Sequence, residues 1–159
     1  MKTTFVLLFL LISTGLFSLT DQELLLDFAK ESEGLKEYKL VSNEESNYFY
    51  LQAVNNEDEN EYIFISSAQD EVRGYSGLNK VVVIIDDNKS IKDASLLKSY
   101  DTRSFVRRIK KSNFLSQFKA WNGEDVIKAV TGATITSNSV KTTIFNLLTR
   151  IETIEISKN

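Results

Sequence analysis

The chain has 159 residues, a formal net charge of −3, no cysteine and no histidine. Without cysteine it cannot form a disulfide framework, a thiol redox centre, an iron–sulfur cluster or a Cys-ligated zinc site, and without histidine it lacks the usual general base and the commonest metal ligand. The modest charge and the lack of a long basic run argue against nucleic acid as a partner. Because the usual metal ligands are missing, we also expect no metal. Any redox chemistry is expected to come from a bound cofactor.

The first twenty residues predict an export signal. Lys2 precedes an apolar run at residues 5–12, which is followed by smaller and more polar residues up to Ser18. This order is typical of a secretory signal peptide, and the run is shorter than the roughly 20 residues of a membrane span. Because no clean Ala-x-Ala cleavage site follows, an uncleaved membrane anchor is the alternative. In both cases we expect residues 21–159 to be exported, to the periplasm or the outer face of the cytoplasmic membrane.

Helix signals occur near both ends of the exported part. Thr20 and Glu23 have the spacing of a capping box, and Gly34 is expected to end the short helix that follows. Residues 104–118 have the pattern of a helix in two pieces. In the last helix, apolar residues recur at helical spacing from residue 140 to residue 151, and Ser137 and Ser139 are its N-cap candidates.

Four segments predict strands because they are rich in aromatic and β-branched residues or form an unbroken apolar run. They are residues 48–54, 62–65, 80–85 and 91–97. The unbroken run at residues 80–85 indicates a central strand that is covered on both faces. Together with the helices, these strands predict an α+β fold: a single domain, residues 21–159, with a mainly antiparallel sheet and flanking helices.

The segment from Val130 to Ser139 is rich in hydroxyl and amide side chains and directly precedes the last helix. Gly132 permits backbone conformations that other residues resist, and Ala133 leaves room for a ligand to approach. The free N–H groups and positive dipole end of a helix N-terminus suit a phosphate. These residues predict an anion site at the start of the last helix. The alternative is a threonine-rich turn that only caps this helix.

Residues 131–137, Thr-Gly-Ala-Thr-Ile-Thr-Ser, resemble the Ser/Thr-Gly-Ala-Thr-x-Thr-Ser signature of the FMN-binding domain family. That family includes flavoprotein subunits of Rnf complexes and of sodium-pumping NADH:quinone oxidoreductases, and the periplasmic part of NosR-type regulators. Further family elements occur in the same order: the loop Gly74-Tyr75-Ser76-Gly77, then Tyr100-Asp101-Thr102 in place of Glu-Thr-Pro-Gly, then Phe114-Leu115-Ser116-Gln117-Phe118. The resemblance covers residues 40–151.

The resemblance implies FMN as the cofactor, esterified through its phosphate to Thr134 by a flavin transferase that uses FAD. Thr131 and Thr136 would bind the phosphate, and Tyr75 and Ile135 would pack against the flavin ring. The implied function is electron transfer with membrane or exported redox partner proteins. The chain would be an electron carrier or a subunit of a redox complex rather than a stand-alone catalyst. No residue is therefore expected to be catalytic. The implied cofactor-binding residues are Tyr75, Asp101, Thr102, Lys128, Thr131, Gly132, Ala133, Thr134, Ile135, Thr136 and Ser137.

Two positions depart from the family pattern. Lys128 stands three residues before Thr131, where members usually carry an aspartate, and residues 101–104 lack the proline and glycine of the Glu-Thr-Pro-Gly loop. Lys128 leaves two other functions open: a domain that holds FMN noncovalently, with this lysine on the phosphate, or a flavin-free docking module.

A basic cluster in the predicted helical region is interpreted as a solvated helix face. The alternative is a docking patch for an acidic redox partner. The cluster consists of Arg103, Arg107, Arg108, Lys110 and Lys111.

Overall fold

The computed structural model describes residues 19–43 and 48–156. The predicted signal peptide or anchor lies outside the described residues, apart from Leu19 and Thr20, which are the first residues of helix α1. Within the two described ranges, no helix combines the length and the apolar character that a membrane span requires.

The chain groups into two compact units that divide between Phe64 and Ile65. The first unit holds helix α1 (Leu19–Glu31) and strands β1 (Leu35–Asn43), β2 (Tyr48–Asn55) and β3 (Asn60–Ile65), of which only the last residue falls beyond the division. The second unit holds β4 (Asn79–Ile85), β5 (Ile91–Ser99), α2 (Arg103–Lys111), a 3-10 helix (Leu115–Phe118) and α3 (Thr134–Glu152).

In the first unit, the three strands pair in chain order and both pairings are antiparallel. Its core is aromatic, since the ring of Tyr50 stacks on that of Phe64 with centroids 4.9 Å apart and meets Tyr62 edge-on. All three rings are fully or almost fully buried. Aromatic side chains fit the pleated surface of adjacent strands and bury a large area each, which explains why this segment forms a sheet.

In the second unit, β4 and β5 form an antiparallel hairpin. Consecutive residues of β4, including Val81, Val82 and Val83, are fully buried, so this strand is covered on both faces as its unbroken apolar run predicted. Helix α3 packs against β4. Its buried apolar stripe consists of Val140, Ile144, Leu147 and Ile151, which recur at helical spacing.

Lys89 connects the hairpin turn of the second unit to the end of α3. Its ammonium donates hydrogen bonds to the carbonyl oxygens of Ile151, Glu152 and Ile154 at 3.1 to 3.2 Å. Because the last carbonyl groups of a helix have no partners inside the helix, a cation at this position satisfies them and stabilises the negative end of the helix dipole.

The predicted fold class, α+β with mainly antiparallel strands and flanking helices, is confirmed, and each of the four predicted strands is present. The assignment of residues 21–159 to one domain stays a prediction. Strand β1 was not predicted. The choice of Ser137 and Ser139 as N-cap residues of α3 was wrong, because the helix begins at Thr134 and Ala133 is its N-cap residue. Both serine hydroxyls instead donate to carbonyl oxygens of the first turn, those of Ala133 and Thr136 respectively.

Candidate functional site

The Thr-Gly-Ala-Thr motif forms the turn that leads into α3. Gly132 has a φ of +74°, in the left-handed region that favours glycine. Ala133 is buried, and its N–H donates to the carbonyl oxygen of Val130 at 2.9 Å. Thr134, the first residue of α3, is exposed, and its hydroxyl has no hydrogen-bond partner among the described residues. The turn therefore presents the hydroxyls of Thr131 and Thr134 to solvent, and the hydroxyl of Thr134 lies at the positive end of a 19-residue helix.

The next two hydroxyls of the motif point inward. Ser137 is fully buried; its Oγ accepts from the N–H of Val130 at 3.0 Å and donates to the carbonyl oxygen of Ala133 at 2.9 Å. Thr136 is also fully buried, and its hydroxyl donates to the carboxylate of Asp101 at 2.8 Å. In the described conformation, Thr136 and Ser137 therefore fix the shape of the turn, while Thr131 and Thr134 are on its open side.

The carboxylate of Asp101 accepts hydrogen bonds from several segments of the site. One carboxylate oxygen accepts the N–H of Tyr75 at 2.9 Å as well as the Thr136 hydroxyl, and the other accepts the N–H groups of Ser76 at 2.8 Å and Thr102 at 2.7 Å. Burial of the carboxyl group opposes its ionisation, but these hydrogen bonds outweigh that effect and lower the pKa of Asp101 to about 2. Asp101 is therefore a carboxylate throughout the physiological pH range.

A closed ring of buried and part-buried hydrogen bonds holds Asp101 itself in place. Its N–H donates to the hydroxyl of Ser99, which donates to the amide oxygen of Asn79 at 2.6 Å. The amide nitrogen of Asn79 donates to the hydroxyl of Ser139 at 2.9 Å, and Ser139 donates to the carbonyl oxygen of Thr136. The Thr136 hydroxyl then returns to Asp101. Because every member is satisfied, the ring fixes β4, β5 and the first turns of α3 in one arrangement.

The loop at residues 74–77 packs directly on Asp101. A Cβ atom at Gly74 would lie 1.9 Å from Oδ2 of Asp101, so only glycine fits there. The N–H of Gly74 donates to the carbonyl oxygen of Gly77 at 2.8 Å, which closes the loop. The loop exposes the ring of Tyr75, which meets the ring of Phe105 on α2 edge-on at a centroid distance of 5.2 Å.

An open cavity of about 210 Å³ lies between this loop, α2 and the start of α3. Tyr75 and Ile135, which both line this cavity, are 61% and 58% exposed, and a planar ligand in the cavity would bury part of this apolar surface. The cavity is lined by Tyr75, Phe105, Ala133, Thr134, Ile135 and Thr136.

A second cavity, of about 480 Å³, lies between α2 and the residues before the motif, and its lining is basic. The guanidinium group of Arg108 lies directly over Gly132, where a Cβ atom would be 2.7 Å from Arg108 Nη1. The lining residues are Ser104, Arg107, Arg108, Lys111, Ser112, Val130 and Thr131.

The segment before the motif is held by Gln117. Its side-chain amide accepts the N–H of Lys128 at 2.9 Å and donates to the carbonyl oxygen of Lys128 at 3.1 Å. Lys128 thus contributes its backbone to the site's framework, and its side chain is exposed. Sequence reasoning gave Gln117 no role, although the Phe-Leu-x-Gln-Phe element in which it occurs was a usable signal.

The structure brings most of the eleven predicted residues into one region of the second unit. Five of them line the apolar cavity, Thr131 lines the basic cavity beside it, and Gly132 lies under Arg108. Asp101 and Thr102 lie beneath the Tyr75 loop, where the hydroxyl of Thr102 is 3.1 Å from that of Ser76. Sequence reasoning missed Arg108 and Phe105 as members of the site.

The residues present fit FMN. An open apolar cavity with exposed aromatic and aliphatic side chains suits a flavin ring, and the helix N-terminus and the guanidinium of Arg108 suit a phosphate. Residues 74–149 match the family model described as the FMN-binding domain. No curated protein and no solved structure matches the chain. The matched range contains every element of the site, from the Gly74 loop to α3, and FMN is accordingly its cofactor. Residues 74–149, which hold this site, are thus similar to the FMN-binding domain family.

Proposed function

We propose that this protein is an exported electron carrier whose FMN is joined through its phosphate to Thr134. The observation that carries the proposal is the state of the Thr134 hydroxyl. It is exposed, has no partner among the described residues and is on the first residue of α3, whereas the neighbouring Thr136 and Ser137 hydroxyls are buried and engaged. Thr134 is thus the hydroxyl of the helix start that a flavin transferase can reach.

The attachment is a phosphoryl transfer without a redox change. The Oγ of Thr134 loses its proton to a base of the transferase and forms a bond to the phosphorus of the FMN half of FAD. The bond between the two phosphates breaks, and AMP leaves. This chain contributes the hydroxyl and a positive environment, since the N–H groups at the start of α3 and the guanidinium of Arg108 favour a phosphate beside Thr134.

Electron transfer follows from the cofactor and from the open site. When bound, FMN supplies one-electron and two-electron transfer chemistry. Tyr75, Phe105 and Ile135 provide the apolar contacts for its ring, and the cavity that they line is open to solvent. A ring edge in such a cavity can approach a redox partner at a short distance. This supports a carrier function and requires no general acid or base from the chain.

Export is inferred from the order of charged, apolar and small residues in the first twenty positions. Cell fractionation with N-terminal sequencing tests this part of the proposal. A protein outside the cytoplasmic membrane that begins after residue 12 is a cleaved export product, and one that retains Met1 in the membrane fraction is anchored. Recovery of the intact chain in the cytoplasm would contradict export.

Covalent attachment is tested by fluorescence of the denatured protein in a gel, after export in a host that has a flavin transferase. We expect a fluorescent band for the natural chain and none for Thr134→Ala. Thr142→Ala is the matched control, because Thr142 is also exposed on α3 and its hydroxyl bonds only within the helix, to the carbonyl oxygen of Asn138. A band that survives in Thr134→Ala would contradict attachment at this residue. A dark band from a yellow native protein would favour the second candidate, a noncovalent FMN domain that holds the phosphate with basic residues such as Lys128.

A further inference from the structure

Helix α2 carries an unusual concentration of positive charge. Five of its nine residues are arginine or lysine and none is acidic, although the chain as a whole has a net charge of −3. Three of these cations, Arg107, Arg108 and Lys111, line the same cavity, on the side of α2 that faces Thr131. Like charges that share one cavity repel each other, so this arrangement disfavours the unliganded state and favours an anion between them.

Arg108 is placed against the motif by a specific contact. Its guanidinium occupies the space over Gly132 that any side chain at position 132 would fill. No hydrogen bond or ion pair of this guanidinium to another described residue is present, so its N–H donors remain available. A guanidinium binds phosphate oxygens with two parallel hydrogen bonds. Arg108 contacts Gly132, and the free hydroxyl of Thr134 is two positions further along the chain.

The two cavities also match the two ends of one ligand. Phe105 of α2 lines the apolar cavity, and its neighbour Ser104 lines the basic one. Along the motif, Thr131 lines the basic cavity and Ala133 the apolar one. A ligand with an aromatic ring at one end and a phosphate at the other can thus contact both cavities along α2, and FMN has this composition.

We propose that Arg108, supported by Arg107 and Lys111, binds the phosphate of FMN and makes the protein select FMN over riboflavin, which lacks only that phosphate. The proposal rests on the FMN site described above and not on the covalent bond to Thr134. Arg108 is a phosphate-binding residue whether or not the ester forms, because its contact is electrostatic.

The test measures the dissociation constants of FMN and riboflavin for the full chain produced without a flavin transferase, by quenching of flavin fluorescence. We expect the natural protein to bind FMN at least tenfold more tightly, roughly the effect of one charge-assisted contact. Arg108→Gln should weaken FMN binding roughly tenfold and leave riboflavin binding unchanged. Added salt should reduce the preference in the natural protein and have a smaller effect in the variant, where only Arg107 and Lys111 remain, because salt screens charges.

Lys110→Gln is the matched control, since it removes the same charge from the same helix at an exposed position that does not line the cavity. It should keep the preference for FMN, and Arg107→Gln should lose part of it. Equal effects of Arg108→Gln and Lys110→Gln, equal losses for both flavins, or no measurable FMN binding would each overturn the proposal. A fluorescent gel band together with no phosphate preference would defeat only this inference, and a dark band with the expected preference would defeat only the covalent attachment.

Discussion

The carboxylate of Asp101 accepts the hydroxyl of Thr136 at 2.8 Å and the backbone N–H of Tyr75 at 2.9 Å through the same oxygen atom. One side chain therefore fixes both the first turn of α3 and the loop that exposes Tyr75. Both elements line the apolar cavity, so the shape of that cavity depends on Asp101, which does not line it. Asp101 acts on the flavin site as a positioning residue.

Asp101→Asn tests this role. An asparagine keeps one acceptor oxygen but replaces the other with an NH₂ group. Because each carboxylate oxygen of Asp101 accepts from N–H or O–H donors, this NH₂ group would face donors and could not accept their hydrogen bonds. We expect the free energy of unfolding to fall by about 2 kcal/mol, because buried donors to a charged group lose their acceptor. FMN binding should weaken as the Tyr75 loop shifts. Denaturant unfolding and flavin titration measure the two effects.

Asp125→Asn is the control for this substitution, since Asp125 is exposed and its carboxylate has no hydrogen bond within the described part of the chain. The free energy of unfolding should change by less than about 0.5 kcal/mol. Equal stability losses in the two variants would show that the hydrogen bonds of Asp101 do not stabilise the site.

The lowered pKa of Asp101 predicts a pH dependence of stability. This carboxyl group has a pKa of about 2 in the folded protein and an ordinary value of 3.8, so between these values the unfolded chain binds more protons. The stabilisation from Asp101 should be complete above about pH 4 and should be lost as the pH falls from there toward 2. Denaturant midpoints measured across this range for the natural protein and for Asp101→Asn give the contribution as their difference. A difference that does not change between pH 5 and pH 2 would contradict the assignment.

Gly74→Ala is predicted to distort the site from the loop side. The new Cβ atom would lie 1.9 Å from Oδ2 of Asp101 and 3.0 Å from Oγ of Ser139, so the loop must move away from both. We expect a stability loss of about 2 kcal/mol, typical of an overpacked position, and weaker FMN binding. Gly34→Ala is the matched control, because a Cβ atom there meets nothing within 4 Å. Thermal unfolding of both variants checks the prediction, and similar melting temperatures would refute it.

The fold was predictable where burial leaves a pattern in the sequence. Strand β4 is fully buried over Val81, Val82 and Val83, and its unbroken apolar run identified it. Strand β1 has no buried residue along its length, so it carries no apolar pattern, and its pairing with β2 is a tertiary contact that local sequence does not encode. The start of α3 was misplaced for a related reason. Ser137 and Ser139 have the composition of cap residues, but their hydroxyls bond within the first turn.

The site was predictable only in part. The motif at residues 131–137 indicated a phosphate site because hydroxyls, glycine and a helix start are adjacent in sequence. Arg108 is 24 positions from Gly132, and only the packing of α2 beside the motif turns a basic helix face into a contact with that glycine. The same holds for Asp101, whose five hydrogen-bond donors come from the Tyr75 loop, its own neighbour and α3.

Gln117→Ala should loosen the segment that leads into the flavin motif. The side chain of Gln117 makes two hydrogen bonds to the backbone of Lys128, at 2.9 and 3.1 Å, and alanine removes both. At about 1 kcal/mol for each bond, we expect the Lys128 N–H to exchange with solvent roughly tenfold faster or more. Amide hydrogen exchange at Lys128 measures this directly, and Gln69→Ala, at an exposed glutamine in another loop, serves as the control. If Lys128 exchanges at the same rate in both variants, the glutamine does not hold this segment. Faster exchange with weaker FMN binding would show that the framework behind the motif, and not only the residues that contact the flavin, sets the affinity of the site.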